Sequence, residues 1–307
     1  GTAAGAGNVI AGSVNHGIYM TGAGTTGTQI SGNTIGTNAS DASGLGNFNG
    51  IWIEAPVGGN NSIGGLVAGA GNVIARNNTT GITNVSTAAG NAIHRNSIYG
   101  NGGIGIDHGN DGTTANDGAT SSSVAGQGVD TPIIAHANLV GTALTLDGYV
   151  GSAAGQSTFA GAVVEFFIAD PSGEGKTYLG SLTADASGNY SGTLTAAGVV
   201  DTDRITATAT LGGIGTSEFA PAFDVNATPT DIAPNSFNVN ENTDTTGGYA
   251  MGTISTTDPD SGDSFTYSIV GGTDQAMFSI NGNQLVLTDG VLDFETKPSY
   301  SVTVRTT

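Results

Sequence analysis

Short apolar units recur along the first 130 residues, and Gly and Asn separate them. One unit reads Asn-x-Ile and the other reads Gly-Ile, and neither follows the 3.6-residue period of an amphipathic helix. The Asn-x-Ile units begin at Asn8, Asn33, Asn61, Asn72, Asn91 and Asn96, and the Gly-Ile units begin at Gly17, Gly50, Gly81 and Gly103. Such short β-prone units cannot bury a face alone, so their repetition predicts strands that stack coil upon coil.

Two features of the coils follow from this stacking. Inward Ile, Val and Leu side chains form continuous apolar stacks, because each strand pairs with the equivalent strand one coil away. The Asn residues stand where the chain corners, and we expect their side chains to bond the amides of the next coil as a ladder. The spacing from Gly81 to Gly103 is the shortest and predicts a bare coil, whereas segments 37–47 and 66–70 predict loops.

The order of the units resembles the right-handed parallel β-helix repeats of large bacterial surface proteins, over roughly residues 5–118. Gly71-Asn72-Val73-Ile74 matches a coil of that family, and Gly103-Ile104-Gly105-Ile106-Asp107 matches its closing coil. The closing coil also matches the start of the calcium-binding nonapeptide of repeats-in-toxin proteins, but Gly109 replaces that motif's large apolar residue. We therefore favour a closing coil and a polar exit loop. That loop carries the acids Asp107, Asp111 and Asp117, and a cation site formed by them stays an open alternative.

Some β-helices are polysaccharide lyases or hydrolases, which need charged groups that converge on one exposed strand face. The charged residues of this region do not align in the coil register. Alternation points His94 and Arg95 in opposite directions, which favours an ordinary solvated edge. Trp52 is either a sugar platform or, as its position between two isoleucines favours, a side chain on the outer face. The sequence therefore predicts no catalytic residue.

Strict two-residue alternation replaces the coil pattern after a Ser-, Gly- and Ala-rich stretch at 119–128. Short alternating segments, such as 144–150 and 163–168, predict a β-sandwich. The order of aromatic landmarks resembles the bacterial immunoglobulin-like domain that often follows such a β-helix. These landmarks include Phe166, Tyr178, Tyr190 and Phe219. The resemblance implies a spacer or adhesion role without catalysis.

The acidic residues in the last segment of the chain are grouped in three clusters, at 240–242, 258–263 and 292–295. Together with the strand patterns at 265–269 and 300–304 they resemble a cadherin repeat. That resemblance implies calcium, and Asp-x-Asp projects two carboxylates from one turn toward a cation that takes 6–8 oxygen ligands. Isolated acids in turns remain the alternative interpretation.

The cadherin resemblance implies one calcium site at each end of the domain. The residues that it assigns to calcium are Asp224, Asn226, Asp258 and Asp260 at the end that faces the preceding linker, and Glu241, Asp293 and Glu295 at the other end. Ala227 stands where the family's linker prefers an acid, and this departure weakens the first site. Asp263 is the nearby acid that would compensate.

Composition narrows the functional classes. Only 10% of residues are charged, against about 25% in ordinary proteins, and 52 are glycine, so long salt-bridged helices are excluded. A net charge of −19 makes nucleic acid and anionic membrane faces poor partners. The surplus acids either bind Ca²⁺ or keep a secreted protein soluble. With no cysteine, disulfides and a cysteine nucleophile are excluded.

The expected fold is all-β: a right-handed parallel β-helix over residues 1–130, an immunoglobulin-like β-sandwich over 131–225 and a cadherin-like β-sandwich over 226–307. Because the sequence starts inside a repeat and stops inside a domain, we expect a calcium-stabilised fragment of a large secreted bacterial cell-surface or extracellular matrix protein, without enzymatic activity or membrane insertion. The expected partner is a cell-surface glycan or protein. Two alternatives stay open, namely a subunit that self-associates into an extracellular fibre or sheath, and a carbohydrate-active β-helix.

Overall fold

The computed structural model describes residues 1–3, 5–258 and 263–307. They form two compact units, Gly1–Asn226 and Ala227–Thr307. The fold is essentially all-β, as predicted, with short 3₁₀ turns at Ala125–Gly128, Ser157–Phe159 and Gln275–Met277. None of the described helical turns is long and apolar enough to cross a membrane. The predicted boundaries at 130 and 225 stay predictions.

Parallel strands follow one another through the first part of the first unit, and we name them the coil region. Its described strands are β1 Val9–Ile10, β2 His16–Met20, β3 Gln29–Ile30, β4 Thr34–Ile35, β5 Asn49–Ile53, β6 Ser62–Gly64, β7 Val73–Ala75, β8 Ile82–Asn84, β9 Ala92–His94, β10 Ser97–Tyr99 and β11 Ile106–His108. They make three parallel sheets, ordered β1–β4–β7–β10, β2–β5–β8–β11 and β3–β6–β9. Consecutive strands therefore belong to different sheets, and each pairs with a strand one coil away.

Isoleucines stack in register along all three sheets. The stacks are Ile10–Ile35–Ile74–Ile98, Ile18–Ile51–Ile82–Ile106 and Ile30–Ile63–Ile93. In the middle coils Ile35, Ile51, Ile74 and Ile82 have 0% of their surface exposed. The predicted apolar stacks are thus confirmed, and they fill the interior of the coils.

The glycine of the Gly-Ile unit is required by the close approach of the next coil. A Cβ on Gly50 would lie 2.4 Å from the carbonyl oxygen of Gly81, and one on Gly81 would lie 2.6 Å from that of Gly105. A larger residue would force apart strands that pair at about 4.7–4.9 Å. Close packing between the coils therefore requires glycine at this position.

Asparagine side chains form hydrogen-bonded ladders between the coils, as predicted. The Oδ1 of Asn72 accepts the backbone N–H of Asn33 at 2.9 Å and its Nδ2–H at 3.1 Å, and Asn96 accepts both from Asn72 at 2.9 and 2.8 Å. The ladders are Asn8–Asn33–Asn72–Asn96, Asn47–Asn77–Asn101 and Asn61–Asn91. The ladder from Asn47 to Asn101 lies outside the Asn-x-Ile pattern, and sequence reasoning missed it.

Antiparallel strands complete the first unit as a two-sheet region. Its strands are β12 Pro132–Val140, β13 Ala143–Val150, β14 Val163–Ala169, β15 Gly175–Thr183, β16 Asn189–Thr195, β17 Arg204–Leu211, β18 Gly215–Thr216 and β19 Phe223–Asp224. One sheet has the order β16–β13–β12, and the other has the order β15–β14–β17 with β18 and β19 also paired to β17. Both sheets contribute to one buried core, which includes Leu144, Leu146, Phe166 and Ile205.

The two-sheet region closes the edge of the last coil with four carboxylates, which we name the cap: Glu165, Asp170, Glu174 and Glu218. Glu174 takes the place of the next rung of a ladder, because its Oε2 accepts the backbone N–H of Asn101 at 2.9 Å and its Oε1 accepts Nδ2–H at 3.0 Å. The other three accept the backbone N–H groups of Arg95 at 3.0 Å, Gly100 at 2.7 Å and His108 at 2.8 Å. An open strand edge is a template for pairing with another chain, and here side chains satisfy it.

The C-terminal unit contains shorter antiparallel sheets. After β20, Asn226–Ala227, at the boundary of the units, its strands are β21 Asp231–Ala233, β22 Tyr249–Thr253, β23 Ser255–Thr257, β24 Tyr267–Gly271, β25 Phe278–Asn281, β26 Gln284–Leu287 and β27 Thr303–Thr306. The sheets are β21–β23, β22–β26–β25 and β24–β27. The buried hydrophobic residues among those described here are Ile254, Leu285, Leu287 and Leu292. A cavity of about 700 Å³ lies among apolar side chains that include Phe237, Met251 and Tyr300.

Candidate functional site

An aromatic cluster occupies the outer face of the second parallel sheet in its first two coils. Tyr19 of β2 and Trp52 of β5 are register partners. The ring of His16 stacks on Tyr19 at 5.2 Å between centroids and lies 4.9 Å from the ring of Trp52. With Phe48 and polar neighbours these rings line a cavity of about 690 Å³, which we name the aromatic groove. Tyr19 is 51% exposed and Phe48 49%, so the groove faces solvent.

Local sequence explains why two of these rings stand side by side. In a strand successive side chains point to opposite faces, so Ile18 and Ile51 point inward and the residues after them point outward. Tyr19 and Trp52 hold the same position after their Gly-Ile units. Parallel pairing in register then places one ring beside the other, about 4.7–4.9 Å apart along the stack.

Glu54 holds the rings of the groove through its carboxylate. Its Oε2 accepts the indole N–H of Trp52 at 3.0 Å and the hydroxyl of Tyr19 at 3.3 Å. Within the described residues Oε1 has no hydrogen-bond donor. Glu54 is therefore a fixed acceptor, with one oxygen open to a ligand.

His16 is held as a neutral ring. Burial lowers the pKa of His16 and outweighs the opposing effect of Glu54. The Nδ1 of His16 lies 3.1 Å from the Nδ2 of Asn49, whose Oδ1 accepts the hydroxyl of Thr80 at 3.0 Å. Since Asn49 must donate through Nδ2, Nδ1 of His16 is the acceptor and Nε2 carries the hydrogen. The groove thus presents a neutral ring with a defined donor.

The groove ends where the chain after β11 covers the same sheet. Thr83 and Asp107 are the next positions in the register of Trp52, and both are buried. The Oδ1 of Asp107 accepts the backbone N–H of Asp111 at 3.2 Å, and a Cβ on Gly126 would lie 2.6 Å from the ring of His108. Asn110 lines the end of the groove. The open aromatic surface is therefore confined to the first two coils.

The cap carboxylates are buried where they meet the last coil. Burial raises the pKa of Glu174 to about 7, although hydrogen bonds from Asn101 oppose this, and burial also raises the pKa of Glu218. The neighbouring His108 is buried, and burial lowers its pKa to about 4. These groups connect the two regions of the first unit through buried hydrogen bonds.

Glu165 corrects the expectation for His94 and Arg95. It has 0% of its surface exposed, and its Oε1 lies 3.5 Å from Nδ1 of His94 and 3.7 Å from Nε of Arg95. The prediction of an ordinary solvated edge is wrong, because both side chains approach one buried carboxylate. The guanidinium of Arg95 also lies over the ring of Tyr178, 5.1 Å from its centroid.

The predicted calcium residues of the first unit lie near its end. Asp224 stands on β19, where its Oδ1 is 3.2 Å from Nε of Arg204, and its side chain is 88% exposed. Asn226 stands on β20. In the exit loop, the amides of Asp111 and Gly112 both donate to Asp107.

The other predicted calcium residues belong to the C-terminal unit. Asp258 follows β23, and Glu241 is exposed. Asp293 and Glu295 share one turn, in which Oδ1 of Asp293 accepts the backbone N–H of Glu295 at 3.1 Å, and hydrogen bonds from Thr296 hold the pKa of Asp293 below its usual value. Asp260 lies outside the described residues. Across the described ranges no three His, Cys, Asp or Glu residues come together as a metal-binding group.

No family model matches the chain. Among solved structures, a similar chain is the adhesin domain of Epf from Streptococcus pyogenes, with 13% sequence identity and a TM-score of 0.26. The match covers 35% of this chain and 35% of that chain. A likeness at this level carries no argument about function.

Proposed function

We propose that the chain is an adhesive and structural fragment of a large secreted bacterial cell-surface or extracellular matrix protein. The coil region is then a right-handed parallel β-helix, the two-sheet region an immunoglobulin-like sandwich and the C-terminal unit a cadherin-like sandwich. The observation that carries the proposal is the solvent-facing aromatic groove on a stack of in-register coils. Tyr and Trp offer large contact areas and lose little side-chain entropy on binding.

Rigidity of the groove supports binding to a surface. Ordering flexible side chains and loops on association costs free energy, and a preorganised site avoids that cost. Here the isoleucine stacks lie directly beneath Tyr19 and Trp52, and Glu54 fixes both rings. The cap holds the last coil of the same stack. The proposed partner is a glycan or protein of a cell surface.

Bead adhesion under flow tests this proposal. Beads coated with the chain are passed over surfaces that carry glycans or matrix proteins, and retention is compared with that of beads carrying the double variant Tyr19→Ala, Trp52→Ala. We expect the chain to retain beads on at least one surface and the double variant to lose that retention. Equal retention by the two proteins, or none by the chain on any surface, contradicts the proposal.

Two observations bear on the alternatives. In a self-assembling fibre coils stack end to end, but the cap already satisfies the amides of the last coil. A carbohydrate-active enzyme of the usual kind needs a pair of carboxyl groups, whereas Glu54 is the one carboxyl group among the described residues that line the groove. Sedimentation as a concentration-dependent polymer would favour the fibre, and sugar released from a polysaccharide would favour the enzyme.

A further inference from the structure

The aromatic groove has the chemistry of a sugar-binding site, and we infer that it takes a glycan built of neutral hexopyranose units. This inference rests on the adhesive function proposed above and names the class of its ligand. It combines three properties of the groove, namely its adjacent rings, the open hydrogen-bonding groups at its rim and the sign of its charge.

The adjacent rings match the apolar face of a pyranose. A hexopyranose presents C–H groups on one face and hydroxyls around its edge, so it packs on a flat aromatic surface while its hydroxyls stay hydrogen-bonded. Tyr19 and Trp52 lie side by side in register, with His16 stacked against Tyr19. The cavity of about 690 Å³ is of the size found for small-molecule sites.

Hydrogen-bonding groups stand at the rim where the hydroxyls would lie. The Oε1 of Glu54 is an open acceptor. The side-chain amides of Asn15 and Asn110 line the groove, are exposed, and have no side-chain hydrogen bond among the described residues. Each amide offers two donors and an acceptor, which suits hydroxyls that both donate and accept.

Charge selects neutral sugars over acidic ones. Glu54 lies inside the groove and the chain carries a net charge of −19, so a uronate or sialate carboxylate would meet like charge. A basic peptide would satisfy Glu54 and the aromatic rings. It would leave the two amides of the rim without a matched set of hydroxyls, so the glycan is the better fit.

Tryptophan fluorescence gives a direct test, because Trp52 is the only tryptophan in the sequence. The full chain is titrated with neutral gluco-, manno- and galacto-oligosaccharides, with oligogalacturonate and with oligolysine. We expect a saturable change in emission with at least one neutral series, and an affinity about tenfold or more weaker for oligogalacturonate. No change with any neutral series, or tighter binding of oligogalacturonate or oligolysine, overturns the inference.

Variants locate the binding in the groove. Tyr19→Ala should weaken binding of the neutral ligand about tenfold, and Tyr19→Phe should retain most of the affinity. Glu54→Gln should reduce the difference in affinity between neutral and acidic ligands. The matched control is Phe294→Ala, which removes an aromatic side chain that is 59% exposed in the C-terminal unit and should leave affinity unchanged. Unfolding melts check that each variant is folded. Full affinity in Tyr19→Ala, or equal loss in Phe294→Ala, counts against the groove.

The two proposals fail in distinguishable ways. If beads adhere through Tyr19 and Trp52 but no neutral sugar changes the emission of Trp52, the ligand class is wrong and adhesion stands. If a neutral sugar binds in solution but beads are retained nowhere, the sugar site stands and adhesion is wrong.

Discussion

The two units of the chain are both built from short strands, but they close their structures in different ways. In the unit Gly1–Asn226 two continuous clusters of buried hydrophobic residues fill the coils and the two-sheet region, and the cap satisfies the last coil edge. The described part of the C-terminal unit buries few large apolar side chains and contains a cavity of about 700 Å³. Without cysteines, closure of the first unit depends on packing and hydrogen bonds, whereas calcium is what the sequence predicts for the second unit.

The largest expected effect comes from removing one isoleucine from each unit. Ile74→Ala should lower the free energy of unfolding by about 3–5 kcal/mol, because the site is fully buried between coils that cannot collapse around the cavity. Ile254→Ala in the C-terminal unit should cost about 2 kcal/mol, at the low end of the range for such changes. Urea unfolding followed by Trp52 emission measures the loss of stability in the first unit. Hydrogen exchange measures the loss in the C-terminal unit. Equal losses would remove the contrast in packing between the units.

The asparagine ladders should contribute the next largest effect. Asn77→Ala removes the acceptor of Asn47 and leaves buried amide groups unpaired, so we expect a loss of about 2–4 kcal/mol. Asn8→Ala is the matched control, because Asn8 is the exposed first rung of its ladder and should cost less than about 1 kcal/mol. Urea unfolding followed by Trp52 emission compares the two variants. A small effect at Asn77 would show that the ladder contributes little to closure.

The cap should make the stability of the first unit depend on pH. Burial raises the pKa of Glu174 from 4.5 to about 7, so the folded state keeps a proton that the unfolded state releases between these values. The contribution of Glu174 to stability is therefore full below pH 4.5 and falls as the pH rises to about 7. Glu174→Gln does not titrate, so its stability relative to the parent should rise by about 2–3 kcal/mol across that window.

Urea unfolding at several pH values between 4.5 and 7.5, followed by Trp52 emission, measures the difference between Glu174→Gln and the parent chain. The lowered pKa of His108 is common to both proteins, so its opposite effect on stability cancels in the difference. A difference for Glu174→Gln that is independent of pH would mean that this carboxyl group is hydrated.

The smallest expected effect is that of calcium on the C-terminal unit. If Asp293 and Glu295 contribute to a site, saturating Ca²⁺ should stabilise that unit by about 1–2 kcal/mol and leave the first unit unchanged. Melting curves with calcium and with a chelator measure the shift, and Asp293→Asn should reduce it. A melt that does not respond to the chelator would contradict the calcium proposal.

Repeated units of the sequence predicted the coil region because each rung repeats the same local pattern. Asn33, Asn72 and Asn96 precede an Ile at fixed spacing, and both the stacks and that ladder follow from it. Asn47, Asn77 and Asn101 stand at unequal distances from the next Gly-Ile unit, so no fixed spacing marked their ladder. Corners of a coil vary in length, whereas the strands between them must stay in register.

Part of the groove could be predicted from the sequence and part could not. Tyr19 and Trp52 share one position after Gly-Ile, and this shared position is the signal that places the two rings together. His16 shares the alternation of Ile18 in β2, and Phe48 precedes β5, so the local pattern does not place their side chains beside Tyr19 and Trp52. Glu165 gave a weak signal as a charge within an apolar run, but its partners His94 and Arg95 are distant in sequence.

Hydrogen exchange of the full chain, resolved by mass spectrometry, tests most directly the claim that the coils and the two-sheet region form one closed, rigid unit. The decisive amides are those of Arg95, Gly100, Asn101 and His108, which donate to the cap. We expect them to exchange as slowly as the interior amides of β5 and β14, and more slowly than the C-terminal unit. Early exchange of these four amides while β14 stays protected would mean that the coil edge is open, and would contradict the account.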